Sequence, residues 1–219
     1  GVLPVLKSPG EKREDFYFIQ KENPDEVLKL ILELVTERIP KRFKLHPVDD
    51  IQVLTPMHRG TVGAENLNLA LRQTLNPRED GVTRGGRNFR VNDKVMQVRN
   101  NYDKDVFNGD IGRIVKIDTE MQEVTIAFDG RTVAYDFPDL DEIVLAYAIS
   151  VHKSQGSEFP CSVVIAHKSH SFMHHANLFY TGVTRARKTA IIVGDRWGMQ
   201  NCARKKQVRL RRTFLSINL

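Results

Sequence analysis

Three stretches of this sequence hold side chains suited to acting on a phosphorylated ligand. The first, Thr55-Pro56-Met57-His58-Arg59-Gly60, follows the short apolar run Ile51-Gln52-Val53-Leu54. In open α/β sheets ligands gather beyond the carboxyl ends of strands, and an arginine there keeps its charge and can reach a phosphate. Alone this pattern is weak, because most arginines in such loops are simply solvated. The second runs from Ala148 to Phe159, AISVHKSQGSEF, where a strand passes into a turn carrying Ser150, His152, Lys153, Ser154, Gln155, Gly156 and Glu158. Hydroxyls, a lysine and free backbone N–H groups at such a turn hold phosphate oxygens without reading bases, and Glu158 is placed to accept hydrogen bonds from a ribose. An ordinary strand-to-helix loop is the competing reading, but it would not need so dense a run of small and polar groups. The third, Tyr180-Thr181-Gly182-Val183-Thr184-Arg185-Ala186-Arg187-Lys188, reads as the end of a helix over residues 176–187. Two arginines at i and i+2 on a helix do not share a face, so one can enter a cleft while the other pairs locally. An arginine aimed at a transferring phosphoryl group stabilises charge that develops in the transition state.

The elements that must position these groups alternate between helix and strand. Asn23 before Pro24 is an N-cap followed by proline at the first helical position. Val27, Leu28, Ile31, Leu34 and Val35 then recur at helical spacing, and Pro40 is expected to end that helix. A second helix is expected after Gly63, with Leu67, Ala70 and Leu71 on one face. Ser162 to Ala166 and Ala190 to Gly194 read as buried strands. Strands alternating with helices predict an α/β fold with a mostly parallel sheet covered on both faces. The middle of the chain departs from this. Residues 77–88, NPREDGVTRGGR, read as a loop, and several short β runs follow with no helix between them. Glu123 to Phe128 and Arg131 to Phe137 alternate apolar with polar residues and are joined by Asp129-Gly130, a hairpin-turn dipeptide. Residues 103–142 are therefore expected to form a small all-β barrel inserted into one α/β domain made of residues 1–102 and 143–219.

Bulk properties narrow the class. The net charge of +6 favours polyanions, nucleic acid first, and six basic residues (Arg204, Lys205, Lys206, Arg209, Arg211, Arg212) crowd one end. A solvated basic helix face explains that crowd as well as a phosphate contact does. Cys161 and Cys202 lack any paired spacing and read as reduced and structural. No apolar run approaches the roughly 20 residues of a membrane span. The first residues turn charged too soon for a secretory signal, so a cytoplasmic location is expected. His167, His170, His174 and His175 cluster, but no nearby cysteine or acid completes a zinc set, so no metal site is expected and a polar loop is. Trp197 is expected in or near the core.

Together the three segments resemble motifs IV, V and VI of superfamily 1 helicases, and most nearly those of the RecD family, the α subunit of exodeoxyribonuclease V and its stand-alone relatives. VLTPMHRG, with Leu67-Asn68 and Leu75-Asn76-Pro77 after it, is similar to that family's motif IV. AYAISVHKSQGSEF is similar to motif V, and FYTGVTRARKTAIIVGD to motif VI. DKVMQVRNNYDKDVFNGDIG resembles the run into the family's inserted Src-homology-3-like barrel. The resemblance implies a RecA-like motor domain. It implies that Arg185 is the arginine finger and that Arg59 lies near the γ-phosphate. It also puts Gln155, Gly156 and Glu158 at the nucleotide, with Ser150, His152, Lys153 and Ser154 along single-stranded DNA. Ser150 stands where the family more often has threonine, and Gly182 where it usually has alanine; the hydroxyl survives, and the glycine costs up to about 1 kcal/mol in a helix.

No G-x-x-x-x-G-K-[ST] phosphate loop occurs in the sequence. In the family that loop and the Mg²⁺ ligands belong to the first motor domain, so the resemblance implies ATP and Mg²⁺ shared with that domain, and no hydrolysis by this chain alone. It implies an ATP-dependent helicase moving 5′ to 3′ on single-stranded DNA in recombination and repair, with RecB- and RecC-like subunits as possible partners. The alternatives are the helicase part of a conjugative relaxase, or a binding module without ATPase history. In the binding module the motif V and motif VI segments would lie apart.

Overall fold

The computed structural model describes residues 15–174 and 176–204; Lys205, Lys206, Arg209, Arg211, Arg212 and His175 lie outside the described residues. The chain opens on β1 (Phe16–Gln20). Helix α1 (Pro24–Glu33) starts as its sequence requires, with Asn23 Oδ1 accepting from Asp25 N at 2.8 Å. Pro40 does not end this helix. The chain widens into a π-helical turn, Leu34–Arg38, and resumes as α2 (Ile39–Phe43) with Pro40 in its first turn. Proline is tolerated there because a first-turn residue has no intrahelical amide bond to lose, and the widened turn accommodates the interruption. Lys44 then leaves the helix in the left-handed region, at φ 58°. β2 (Ile51–Thr55) is buried throughout, and α3 (Ala64–Leu75) follows Gly63.

Residues 77–88, expected as loop, contain a hairpin of β3 (Val82–Arg84) and β4 (Arg87–Phe89). Gly85 and Gly86 supply its two successive positive φ angles, +55° and +74°, which suit a tight two-residue turn. β5 (Lys94–Gln97), β6 (Ile111–Asp118), β7 (Glu123–Phe128), β8 (Arg131–Asp136) and β9 (Ile143–Leu145) follow. β10 (Ala148–Ser150) leads through a 3₁₀ turn, Val151–Ser154, to β11 (Phe159–Ala166). Helix α4 (Ala176–Val183), β12 (Ala186–Gly194) and α5 (Arg196–Arg204) complete the described chain.

The first sheet is parallel, in the order β1-β12-β11-β2-β10. Its strands alternate between two cores. Val163 and Ile165 of β11 pack with Val27, Ile31, Leu67 and Leu71 on one face, while Val164 and Ala166 pack with Leu178 and Met199 on the other. Both faces are covered, which is why these strands read as continuous apolar runs. This is the α/β architecture expected from the alternation.

The second sheet is antiparallel, in the order β8-β7-β6-β5-β9, and encloses its own core of Phe89, Val95, Ile114, Ile126, Tyr135 and Leu140. It reaches from Lys94 to Leu145, beyond the 103–142 interval expected. β5 is buried at all four positions and shows no alternation, so its sequence cannot be told from a strand of the parallel sheet.

A buried carboxylate joins the two units. Asp93, fully buried, accepts from Asn76 Nδ2 (2.8 Å) and Tyr147 Oη (3.0 Å) on Oδ1, and from Arg90 N (2.9 Å) on Oδ2. Arg72 Nη1 lies 3.8 Å away. These partners come from α3, from the approach to β5 and from the connection into β10. Beside them the buried Lys94 donates to Val48 O at 2.7 Å and Ile51 O at 3.3 Å. Removing one member of such a network strands the others without partners. Asp93→Ala is expected to lower unfolding free energy by about 3–5 kcal/mol in urea titration, and Asp93→Asn by less. An unchanged midpoint for Asp93→Ala would show that the junction holds without it.

Candidate functional site

The second and third segments meet at the amino ends of β11 and β12. Phe159 N donates to Arg185 O at 2.8 Å, and Arg185 Nη1 donates to Ser157 O at 3.0 Å. Arg185 Nε also donates to Thr181 O (3.1 Å), and Nη2 to Thr184 Oγ1 (3.3 Å). The guanidinium is half-buried and, among the described residues, held by three groups. The helical reading of residues 176–187 needs correction: α4 stops at Val183, and β12 begins at Ala186. Val183 and Thr184 are β-branched and the Arg185 carbonyl pairs into the sheet, so helix gives way early. Arg185 and Arg187 differ because one occupies a turn and the other a strand. Arg187 Nε lies 3.2 Å from Glu158 Oε2, and both side chains are exposed. Such a pair is worth little and is readily exchanged for another ligand. Gln155 and Gly156 are exposed on the same connection.

The first segment lies elsewhere. Arg59 follows the carboxyl end of β2, whereas Arg185 precedes the amino end of β12, a strand parallel to it. The two arginines therefore leave the sheet at opposite ends. Arg59 is 87% exposed, with Nε 3.9 Å from Glu65 Oε2. Strand order sets Arg59 and Arg185 apart, whereas the resemblance implies that both lie near the γ-phosphate.

At the carboxyl end of β10 a groove of about 490 Å³ opens between α3, the β3–β4 hairpin and the 3₁₀ turn. Ser150 and Lys153 line it together with His58, Arg87 and Leu69. Ser150 Oγ caps the turn by accepting from Lys153 N at 3.4 Å. Burial and the neighbouring Arg87 charge pull the Lys153 ammonium below the ordinary lysine range. His152 is exposed on the same turn. Ser154 is not available to a nucleic acid: it is fully buried and its hydroxyl donates to Val151 O at 2.7 Å, closing the turn. No sequence motif points to Arg87 or Leu69. The Arg-Gly-Gly-Arg hairpin was the available signal, masked by the polar composition around it.

Set beside known proteins, this arrangement, a parallel sheet with helices on both faces and a five-stranded β unit inserted before its edge strand, is that of a helicase domain. Residues 67–128 match the ATP-dependent RecD-like DNA helicase SH3 domain, and residues 145–193 match the UvrD-like helicase C-terminal domain. The ATP-dependent RecD2 DNA helicase of Deinococcus radiodurans is 37% identical over 157 residues, covering 72% of this chain and 22% of that protein. The RecBCD enzyme subunit RecD of Mycolicibacterium smegmatis is 26% identical over 94% of this chain and 37% of its own length. Among solved structures, the Pif1 helicase from Bacteroides in complex with ADP-AlF3 and ssDNA shares the fold, with a TM-score of 0.51 and 21% identity over 80% of this chain and 49% of that one. The chain belongs to the RecD-like helicases of superfamily 1. It spans about a fifth to two fifths of the length of these two relatives. Among the described residues no helix is long and apolar enough to cross a membrane.

The histidines between β11 and α4 are not a polar loop. His167, His170 and His174 are each at most 2% exposed, and His170 Nδ1 has no hydrogen-bond partner. Among the described residues no group of three or more His, Cys, Asp or Glu is arranged to hold a metal. Trp197, expected near the core, is 53% exposed beside His174. Burial, with His167 and His174 close by, pulls His170 down to about 4. The unfolded chain therefore takes up this proton near pH 6.5 and the folded chain only near 4. Stability is complete above about pH 6.5 and is lost as pH falls toward 4. Melting curves across that window should show a decline that His170→Gln flattens; an equally steep decline in the variant would assign it to other groups.

Proposed function

We propose that the chain is the second motor domain of an ATP-dependent DNA helicase that moves 5′ to 3′ on single-stranded DNA, with Arg185 as its arginine finger. The convergence of the motif V and motif VI segments at one edge supports this reading and disfavours the binding module, in which they would lie apart. ATP would lie between this edge and the first motor domain. Arg185 would exchange Ser157 O or Thr184 Oγ1 for phosphate oxygens, while Glu158, released from Arg187, would accept from the ribose. Gln155 and Gly156 would line the same edge. Mg²⁺ would be held by the first motor domain, as the family resemblance implies. Ser150, His152 and Lys153, at the other end of the sheet, would follow the DNA backbone. Closure on ATP and reopening would move one end relative to the other along the strand. RecB- and RecC-like subunits are possible partners, by likeness to the RecBCD subunit relatives.

In a protein joining this chain to its first motor domain, Arg185→Ala is expected to lower kcat for ATP by about 10³-fold or more and leave nucleotide affinity nearly unchanged. Arg185→Lys should rescue poorly, because a point charge lacks the planar fork. Near-normal kcat in folded Arg185→Ala protein would remove the arginine-finger role. Arg59→Ala should keep most of kcat, since its side chain leaves the far end of the sheet; a loss matching that of Arg185→Ala would restore it to the nucleotide. The 219-residue chain alone should show no DNA-stimulated ATPase activity, and measurable turnover would overturn the division of the site between two domains.

A further inference from the structure

The adjacent parallel strands β1 and β12 send the chain to opposite faces of the sheet. Helix α1, after β1, packs with Val163 and Ile165 on one face, whereas α5, after β12, packs with Val164 and Ala166 on the other. Where the connections of two neighbouring strands part in this way, a crevice opens beyond their carboxyl ends, and ligands of α/β proteins gather there. Here the crevice has a volume of about 510 Å³, within the roughly 300–1,000 Å³ of small-ligand sites. Buried hydrogen bonds fix its walls. Asp195, 3% exposed, accepts from Gly198 N at 2.8 Å on Oδ1 and from Lys168 N on Oδ2. His167 Nε2 donates to Glu22 O at 2.9 Å. The connections that follow β1, β11 and β12 are thereby tied together. Lys168, Arg196, Glu22 and the half-exposed Trp197 line this frame. The Lys168 ammonium and the Arg196 guanidinium form no ion pair among the described residues. Glu22 Oε1 accepts from Gln20 Nε2 at 3.3 Å, and its carboxylate likewise has no cation partner among them.

An exposed tryptophan needs no explanation by itself. Beside two unpaired cations and a carboxylate it matches the three parts of a nucleoside phosphate. An indole face stacks a base, cations hold phosphate oxygens through charge-assisted hydrogen bonds, and a carboxylate accepts from the hydroxyls of a ribose. We propose that this crevice binds a free ribonucleotide, its base on Trp197, its phosphates at Lys168 and Arg196, and its ribose hydroxyls at Glu22. The end of a DNA strand would bring the same base and phosphate. Glu22 favours the ribonucleotide, because DNA lacks the 2′-hydroxyl that the carboxylate would accept from. The crevice is separate from the edge that carries Arg185. The nine residues of β12 run between them, which sets the two ends about 30 Å apart at the usual rise of a strand. This binding site goes beyond the motor reading and stands without it.

Trp197 is the one tryptophan of the 219-residue chain, so its fluorescence reports on this crevice alone. The test titrates that fluorescence with ADP, with its 2′,3′-dideoxy analogue, with adenosine, and with a 5′-phosphorylated oligothymidylate. ADP should quench saturably, and adenosine, which lacks the phosphates, should bind about tenfold or more weakly. Lys168→Ala and Arg196→Ala should each weaken ADP about tenfold and leave adenosine unchanged. The dideoxy analogue should bind about fivefold more weakly than ADP, and Glu22→Ala should remove that difference. Arg185→Ala should keep the ADP quench, since its side chain belongs to the far end of β12; loss of the quench there would return the nucleotide to the motor edge and overturn the crevice. Quenching by oligothymidylate at lower concentration than by ADP would overturn the free ribonucleotide in favour of a strand end. Equal ADP binding by wild type and both cation variants, or no quench by any probe, would remove the site and leave the motor reading untouched. Lys168, Arg196 and Glu22 are exposed, so melting curves that match wild type should accompany each variant.

Discussion

Everything on the β10 side of the molecule depends on the buried carboxylate of Asp93. It receives hydrogen bonds from α3, from the approach to β5 and from Tyr147, which leads into β10. Burying a charge is costly unless donors surround it, and here three donors and a nearby guanidinium do so. The result is directional as well as adhesive. Tyr147 is held at the point where the inserted unit returns the chain to the parallel sheet, so β10 enters in a fixed register with β2. Ser150 and Lys153 follow only a few residues later. Lys94, the first residue of β5, repeats the logic toward Val48 and Ile51. Burial pulls its ammonium down to about 8, and the Val48 and Ile51 carbonyls stand in for lost water.

The sheet then sets the two groups of motif residues at its two ends. Groups matching the nucleotide side of the resemblance gather at the amino ends of β11 and β12, and those matching the DNA side at the carboxyl end of β10. The connection Val151–Glu158 runs between the two ends. Its path is braced by the buried Ser154 hydroxyl and by Val151, packed among Leu54, Ile149 and Phe159. A short packed segment reaching both ends is a physical route by which phosphate chemistry and strand contact can act on each other, because packed elements shift rather than stretch.

Much of this was legible in the sequence because two periodicities survive packing. Asn23-Pro24, the apolar positions of α1 and the alternation in β7 are local signals with local causes, and each appears where expected. The parallel strands were legible as apolar runs, since both faces are buried. What failed were features decided by distant partners. Pro40 reads as a helix stop unless a π turn can form before it. β5 reads as a sheet strand of either unit, because nothing local says which strand it will pair with. Arg59 and Arg185 both follow plausible phosphate patterns, but only strand order and direction reveal that they leave opposite ends. Ser154 looks like another available hydroxyl until the turn closes over it. Asp93 could not be recognised at all, since the side chains that donate to it lie 17 and 54 residues away.

The groove also shows how an edge strand can border a cavity without inviting another strand. β10 is the outer strand of the parallel sheet, and exposed strand edges recruit further strands. Here one position of that edge is taken. Asn68 Oδ1 accepts from Ala148 N at 2.9 Å, and its Nδ2 donates to Ala148 O at 2.7 Å, so one side chain imitates a neighbouring strand. Gln52 Nε2 reaches the Ala146 and Tyr147 carbonyls at 3.0 and 3.1 Å. With Asn68 at that position, the groove presents side chains where a further strand would begin to pair. Any ligand it holds is chosen by charge and apolar contact, which are the two things a single strand of DNA offers without regard to its sequence.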